Sequence, residues 1–97
     1  MAQVAPRPEA RTVTVELKGA YAGWRCTARA DFPAGLLADL QSGQVAKIIS
    51  VLDAIVIDHN YPGDDGDLAA SMAQVEYHAV MDTGIGVFDA IGKLPNR

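Results

Sequence analysis

Thr12-Val13-Thr14-Val15-Glu16-Leu17-Lys18, then Gly19-Ala20-Tyr21-Ala22-Gly23, then Trp24-Arg25-Cys26-Thr27-Ala28-Arg29-Ala30-Asp31: this stretch decides the fold. In the first run Val13, Val15 and Leu17 alternate with Thr12, Thr14, Glu16 and Lys18. In the second, Trp24, Cys26, Ala28 and Ala30 alternate with Arg25, Thr27, Arg29 and Asp31. A period of two places each apolar set on one face of a strand. Two such runs with a short glycine-bounded link predict a β-hairpin. A lone hairpin is marginal in water, so its apolar face needs helices packed over it.

Those helices are expected downstream. Asp31-Phe32-Pro33 predicts a helix start, with Asp31 as cap and Pro33 in the first turn. That helix carries Leu36, Leu37 and Leu40 and stops at Ser42-Gly43. From about Gln44, the residues Val45, Ile48, Ile49, Leu52, Ile55 and Val56 recur at i, i+3, i+4, i+7, which is one helical stripe. The β-branched run Ile55-Val56-Ile57 predicts that this helix gives way to extended chain. His59 to Asp67 reads as a turn-rich loop, with residues 60–67 expected to be exposed. A last helix is predicted from about Met72 or Val75 to Ile91, with Tyr77, Val80, Met81, Gly84, Phe88 and Ile91 on one face. Gly84 and Gly86 each cost that helix about 1 kcal/mol relative to Ala, so they predict a close backbone approach or a kink.

The expected fold class is α+β: an N-terminal β-hairpin packed on a small bundle of about three α-helices, forming one domain over residues 12–97. The expected core is Leu37, Ile48, Leu52, Ile55 and Phe88, with Val13, Val15 and Trp24 packed over them. Residues 1–11 contain Pro6 and Pro8, show no periodicity, and read as an extended arm.

Composition narrows the function classes. The 97 residues are 49% apolar, enough for one modest core, and carry a net charge of −4. A nucleic-acid binder draws its affinity from Lys and Arg on phosphates, so no nucleic-acid partner is expected. Residues 1–50 hold six basic side chains (Arg7, Arg11, Lys18, Arg25, Arg29, Lys47) and four acidic ones, a balance of +2. Residues 51–97 hold two basic and eight acidic, a balance of −6. Opposite charge on the two halves predicts a head-to-tail contact that steers register. Cys26 is the only cysteine, which leaves no internal disulfide and no Cys-based zinc site. Neither a signal peptide nor a membrane-length apolar run is present, so the expected location is the cytoplasm.

Catalytic and cofactor motifs fail on inspection. A calcium loop starting at Asp58 fits Asn60 and Gly63, but Pro62 takes a ligand position and Ala69 stands where the bidentate Glu belongs. His59 and His78 lack a local ligand pairing. Cys26 lies on an apolar strand face with no His placed beside it. Gly86 to Lys93 departs from a phosphate loop in glycine spacing and has Leu94 where Ser or Thr is required. No catalytic residue, metal ligand or cofactor is expected, and the chain is not expected to be an enzyme.

Tyr21-Ala22-Gly23-Trp24, Ala28-Arg29-Ala30-Asp31-Phe32-Pro33, Ile55-Val56-Ile57-Asp58-His59-Asn60 with Pro62 and Gly66, and Phe88-Asp89-Ala90-Ile91-Gly92-Lys93-Leu94-Pro95 carry a resemblance. Over residues 19–97 the chain is similar to tail assembly chaperones of siphophages that infect actinobacteria. The resemblance implies a protein that binds the tape-measure protein, tail-tube subunits, or both during tail morphogenesis, in the host cell cytoplasm, with self-association. The interaction residues expected on this basis are Trp24, Met72, Tyr77, Met81, Gly84 and Phe88. The rival expectation is a structural virion component: a capsid decoration, head–tail connector or tail subunit whose arm reaches a neighbour.

Overall fold

The computed structural model describes residues 3–95. Its elements are β1 (Thr12–Glu16), β2 (Arg25–Arg29), α1 (Ala34–Leu40), α2 (Val45–Ile55), β3 (Val56–His59) and α3 (Tyr77–Gly92), with 3-10 turns at Gly19–Tyr21 and Met72–Gln74. The fold is α+β, an N-terminal hairpin packed against helices. β1 and β2 pair antiparallel with Val13 opposite Ala28 and Val15 opposite Cys26, so the predicted inward sets face together. Gly23 closes the connection at φ +90°, a conformation that other residues adopt only with strain.

A third strand completes the sheet, in the order β1-β2-β3. It was expected only as extended chain after the second helix. β3 pairs antiparallel with β2, Thr27 opposite Asp58 and Ala28 opposite Val56, which leaves Ile57 as an extra residue. Regular pairing from Val56 would turn Asp58 toward the core. The bulge shifts the phase by one, keeping Asp58 on the outer face and leaving Ile57 59% exposed. Asn60 then extends the pairing with its side chain. Its Oδ1 accepts from the Arg25 N–H at 2.8 Å, and its Nδ2 donates to the Gly23 carbonyl at 2.9 Å.

The core lies between the inner face of the sheet and the helices. Ile48, Val51, Leu52 and Ile55 of α2 meet Ala79, Val80 and Val87 of α3 and Val13, Val15, Cys26 and Ala28 of the sheet. Ile48, Leu52, Ile55, Val13 and Val15 are buried as expected. Two expected core residues are not: Leu37 is only half-buried, and Phe88 is 43% exposed. The reason for Phe88 is the rotation of α3 about its axis. Its buried residues are Ala79, Val80, Thr83, Gly84 and Val87, so the core face is centred one position away from the stripe predicted through Tyr77, Met81 and Phe88.

Gly84 and Gly86 explain that rotation. A β-carbon on Gly86 would come within 2.6 Å of the Val15 Cγ1 atom, and one on Gly84 within 3.3 Å of the Ile48 Cγ2 atom. The expected close approach is therefore made within the chain, by β1 and α2. α3 is an uninterrupted sixteen-residue helix across both glycines.

Asp31 does not cap α1, which has no side-chain cap. Its carboxylate instead accepts from the Arg11 backbone N–H at 3.0 Å and from the guanidinium at 3.2 and 3.4 Å. The same guanidinium donates to the Pro95 carbonyl at 2.7 Å. Arg11 thus ties the root of the arm to both the hairpin and the C-terminal end. Residues 3–10 are exposed and form no regular secondary structure; positions 1 and 2, also assigned to the arm, lie outside the described residues.

Candidate protein-interaction surfaces

Among the described residues no three His, Cys, Asp or Glu side chains are grouped so as to hold a metal. No helix among them is long and apolar enough to cross a membrane. The lone thiol, Cys26, is 1% exposed, and burial pushes its pKa up, which makes it a poor nucleophile. The features left to account for are surfaces.

The first lies on α3. With its core face fixed by the glycines, the helix turns Tyr77, Met81, Ile85 and Phe88 outward at spacings of four, four and three residues. At 100° per residue these four lie within an arc of about 80°. Tyr77 is 55%, Ile85 67% and Phe88 43% exposed, and Met81 is half-buried. Asp82 and Asp89 flank the stripe, and Asp89 is paired with Lys93 at 2.9 Å. Single exposed apolar residues are ordinary, but a contiguous stripe along one helix is a candidate contact surface.

The second surface is a cleft of 660 Å³ at the turn end of the hairpin, lined by Trp24, Pro62, Gly63, Asp64 and residues 73–76. Trp24 forms one wall. Its ring centroid lies 4.9 Å from that of Tyr21 and 5.6 Å from that of Tyr61. Tyr21 donates its hydroxyl to Glu76 Oε1 at 2.7 Å, and this bond, with the negative charge of Glu76, pushes the phenol up to about 12. Asp64 and Glu76 put two carboxylates on the rim.

Two clamps hold the walls. Asp53 at the end of α2 accepts from the Ser71 hydroxyl at 2.7 Å and from the Met72 N–H at 2.8 Å, fixing the 3-10 turn. Tyr61 is 0% exposed and its hydroxyl meets the Thr83 hydroxyl at 2.7 Å. This corrects the expectation that residues 60–67 are all exposed: Tyr61 anchors the acidic turn into the core, while residues 64–67 remain outside. His59 accepts the Tyr61 N–H on Nδ1 at 3.0 Å, a structural role.

The expected interaction residues divide accordingly. Tyr77, Met81 and Phe88 fall together on the outer stripe of α3, and Trp24 lies apart from them in the cleft. Met72 (2% exposed) and Gly84 are buried and present no surface, because the first is pinned by Asp53 and the second receives Ile48. Ile85 was missed, although its i+4 spacing from Met81 was readable. Nothing local in the sequence marks the meeting of Trp24 with Asp64 and Glu76, some 40 to 52 residues away along the chain.

Comparison with protein-family models, with curated proteins and with solved structures returned no match.

Proposed function

We propose that this chain is a non-catalytic assembly factor of the phage tail chaperone kind, which uses the outer face of α3 to cover apolar helix on a tape-measure or tail-tube client. The observation that carries the reading is the Tyr77-Met81-Ile85-Phe88 stripe. A helix face of this spacing packs along a partner helix, ridge into groove. Fully covering a side chain such as Ile85 or Phe88 is worth roughly 1.5–3 kcal/mol. Association itself costs about 4–15 kcal/mol, so one such site is weak. Weak sites suit a chaperone. Many copies along one long client hold it by avidity and leave one at a time as tube subunits arrive. Met81 supplies an adaptable contact for a client of varied sequence.

The second reading, a structural virion component, draws on the exposed arm over residues 3–10, the kind of element with which shell and tube subunits reach a neighbour. Quantitative mass spectrometry of purified particles separates the two. A chaperone is present in infected-cell lysate and absent from particles. Stoichiometric retention in the particle would replace the chaperone reading with the structural one.

A further inference from the structure

The cleft beside Trp24 has an aromatic wall, a proline at its edge and two carboxylates on its rim. Aromatic-walled grooves bind left-handed proline-containing segments, whose extended form is set before binding and loses little entropy. A guanidinium over an indole face, next to carboxylates, gains both cation–π and charge-assisted bonding. Among the described residues, Val4-Ala5-Pro6-Arg7-Pro8 is a segment of this chemistry, exposed throughout.

The Pro6-Arg7-Pro8 segment does not reach the cleft of its own chain. Its root is fixed where the Ala30 N–H donates to the Arg11 carbonyl at 2.8 Å and Arg11 grips Asp31. Trp24 lies six residues from Ala30 along the hairpin, about 20 Å at strand rise. Pro6 is five residues from Arg11, roughly 16 Å in the polyproline conformation. The Pro6–Pro8 backbone therefore falls short of the cleft in cis, and the occupant that fits is the arm of another copy.

We propose that the N-terminal arm of one copy lies in the Trp24 cleft of the next, with Pro6 and Pro8 against the aromatic wall and Arg7 between Asp64 and Glu76. This contact is independent of the client surface on α3. It is heterologous, since arm and cleft are different surfaces, so it propagates copies into a ring or an open array. It also gives the unequal charge of the two halves a place to act.

The test uses full-length chains carrying Arg7→Glu or Asp64→Lys, both at exposed positions, with circular dichroism to confirm folding. Sedimentation velocity reads association, and the emission of Trp24, the only tryptophan, reads the cleft. The wild type should associate as concentration rises, with a parallel shift in Trp24 emission. Each variant alone should associate at least tenfold more weakly, without the emission shift. Mixing the two variants should restore association, because the Asp64→Lys copy retains an intact arm and the Arg7→Glu copy an intact cleft. A wild type that stays monomeric at high concentration overturns the proposal. So does association that survives in both variants, or two weakened variants that fail to complement each other.

Discussion

Thr83→Val should destabilise the fold more than Tyr61→Phe, and the pair together should cost less than their sum. The reason is a count of protons. Thr83 Oγ1 donates its single hydrogen to the Ala79 carbonyl at 2.7 Å, so in the bond between the two hydroxyls Tyr61 is the donor. Removing the Tyr61 hydroxyl leaves Thr83 with its own hydrogen bond made and costs about 1 kcal/mol. Removing the Thr83 hydroxyl strands a phenolic O–H at a position that is 0% exposed, which costs about 1–3 kcal/mol. The Cys26 thiol lies against the same hydroxyl, but sulfur is a weak acceptor and does not replace Thr83. In the double variant both polar groups are gone, so adding Tyr61→Phe to Thr83→Val should be neutral or stabilising, a coupling of about 0.5–3 kcal/mol. Urea unfolding followed by Trp24 emission measures all four corners of the cycle. A Thr83→Val variant milder than Tyr61→Phe, or strictly additive costs, would refute the donor assignment and with it the anchor that holds the acidic turn against α3.

Three further outcomes follow from the packing. Ile48→Ala or Leu52→Ala, at 3% and 0% exposure, should cost roughly 2–5 kcal/mol and lower the melting temperature by many degrees; a melt within a degree or two of wild type would contradict the core. Gly86→Ala and Gly35→Ala should shift the urea midpoint in opposite directions. The first drives a β-carbon into the Val15 side chain, an overpacking cost of about 1–3 kcal/mol that outweighs about 1 kcal/mol of helix propensity, while the second meets open space and keeps the propensity gain. Stability should also fall at alkaline pH. Tyr21 is raised to about 12 by Glu76, and burial raises Tyr61 as well, whereas unfolded tyrosines titrate near 10. Their contribution is complete below pH 10 and is lost as pH climbs through about 12, so a urea midpoint unchanged between pH 9 and pH 12 would contradict both placements.

Much of the fold was legible because it is written in local periodicity. The alternation at Thr12–Lys18 and Trp24–Asp31 fixes the hairpin, and the stripe from Val45 to Val56 fixes α2 and its buried face. Legibility ended where two distant segments had to be matched. The β-branched run at 55–57 signalled extended chain, but pairing with β2 depends on a bulge that no local pattern announces. For α3, apolar residues cover so much of the helix circumference that periodicity alone could not choose the buried arc. Val15 against Gly86 chose it, turning Phe88 outward. The surface residues follow the same division. Tyr77, Met81 and Phe88 share a helix and could be grouped in advance, while the cleft joins Trp24 to Asp64 and Glu76 through the Tyr21–Glu76 bond, the buried Tyr61 and the Asp53 clamp.

The proposed client surface on α3 is tested most directly by coexpressing the chain with a siphophage tape-measure protein and measuring the soluble fraction of that client. Wild-type chain should raise the soluble fraction severalfold. Ile85→Asp, which places a charge in the middle of the stripe at a position 67% exposed and should leave the chain folded at the assay temperature, should abolish the gain. Equal solubilisation by wild type and Ile85→Asp, or none by wild type, would contradict α3 as the client-binding face.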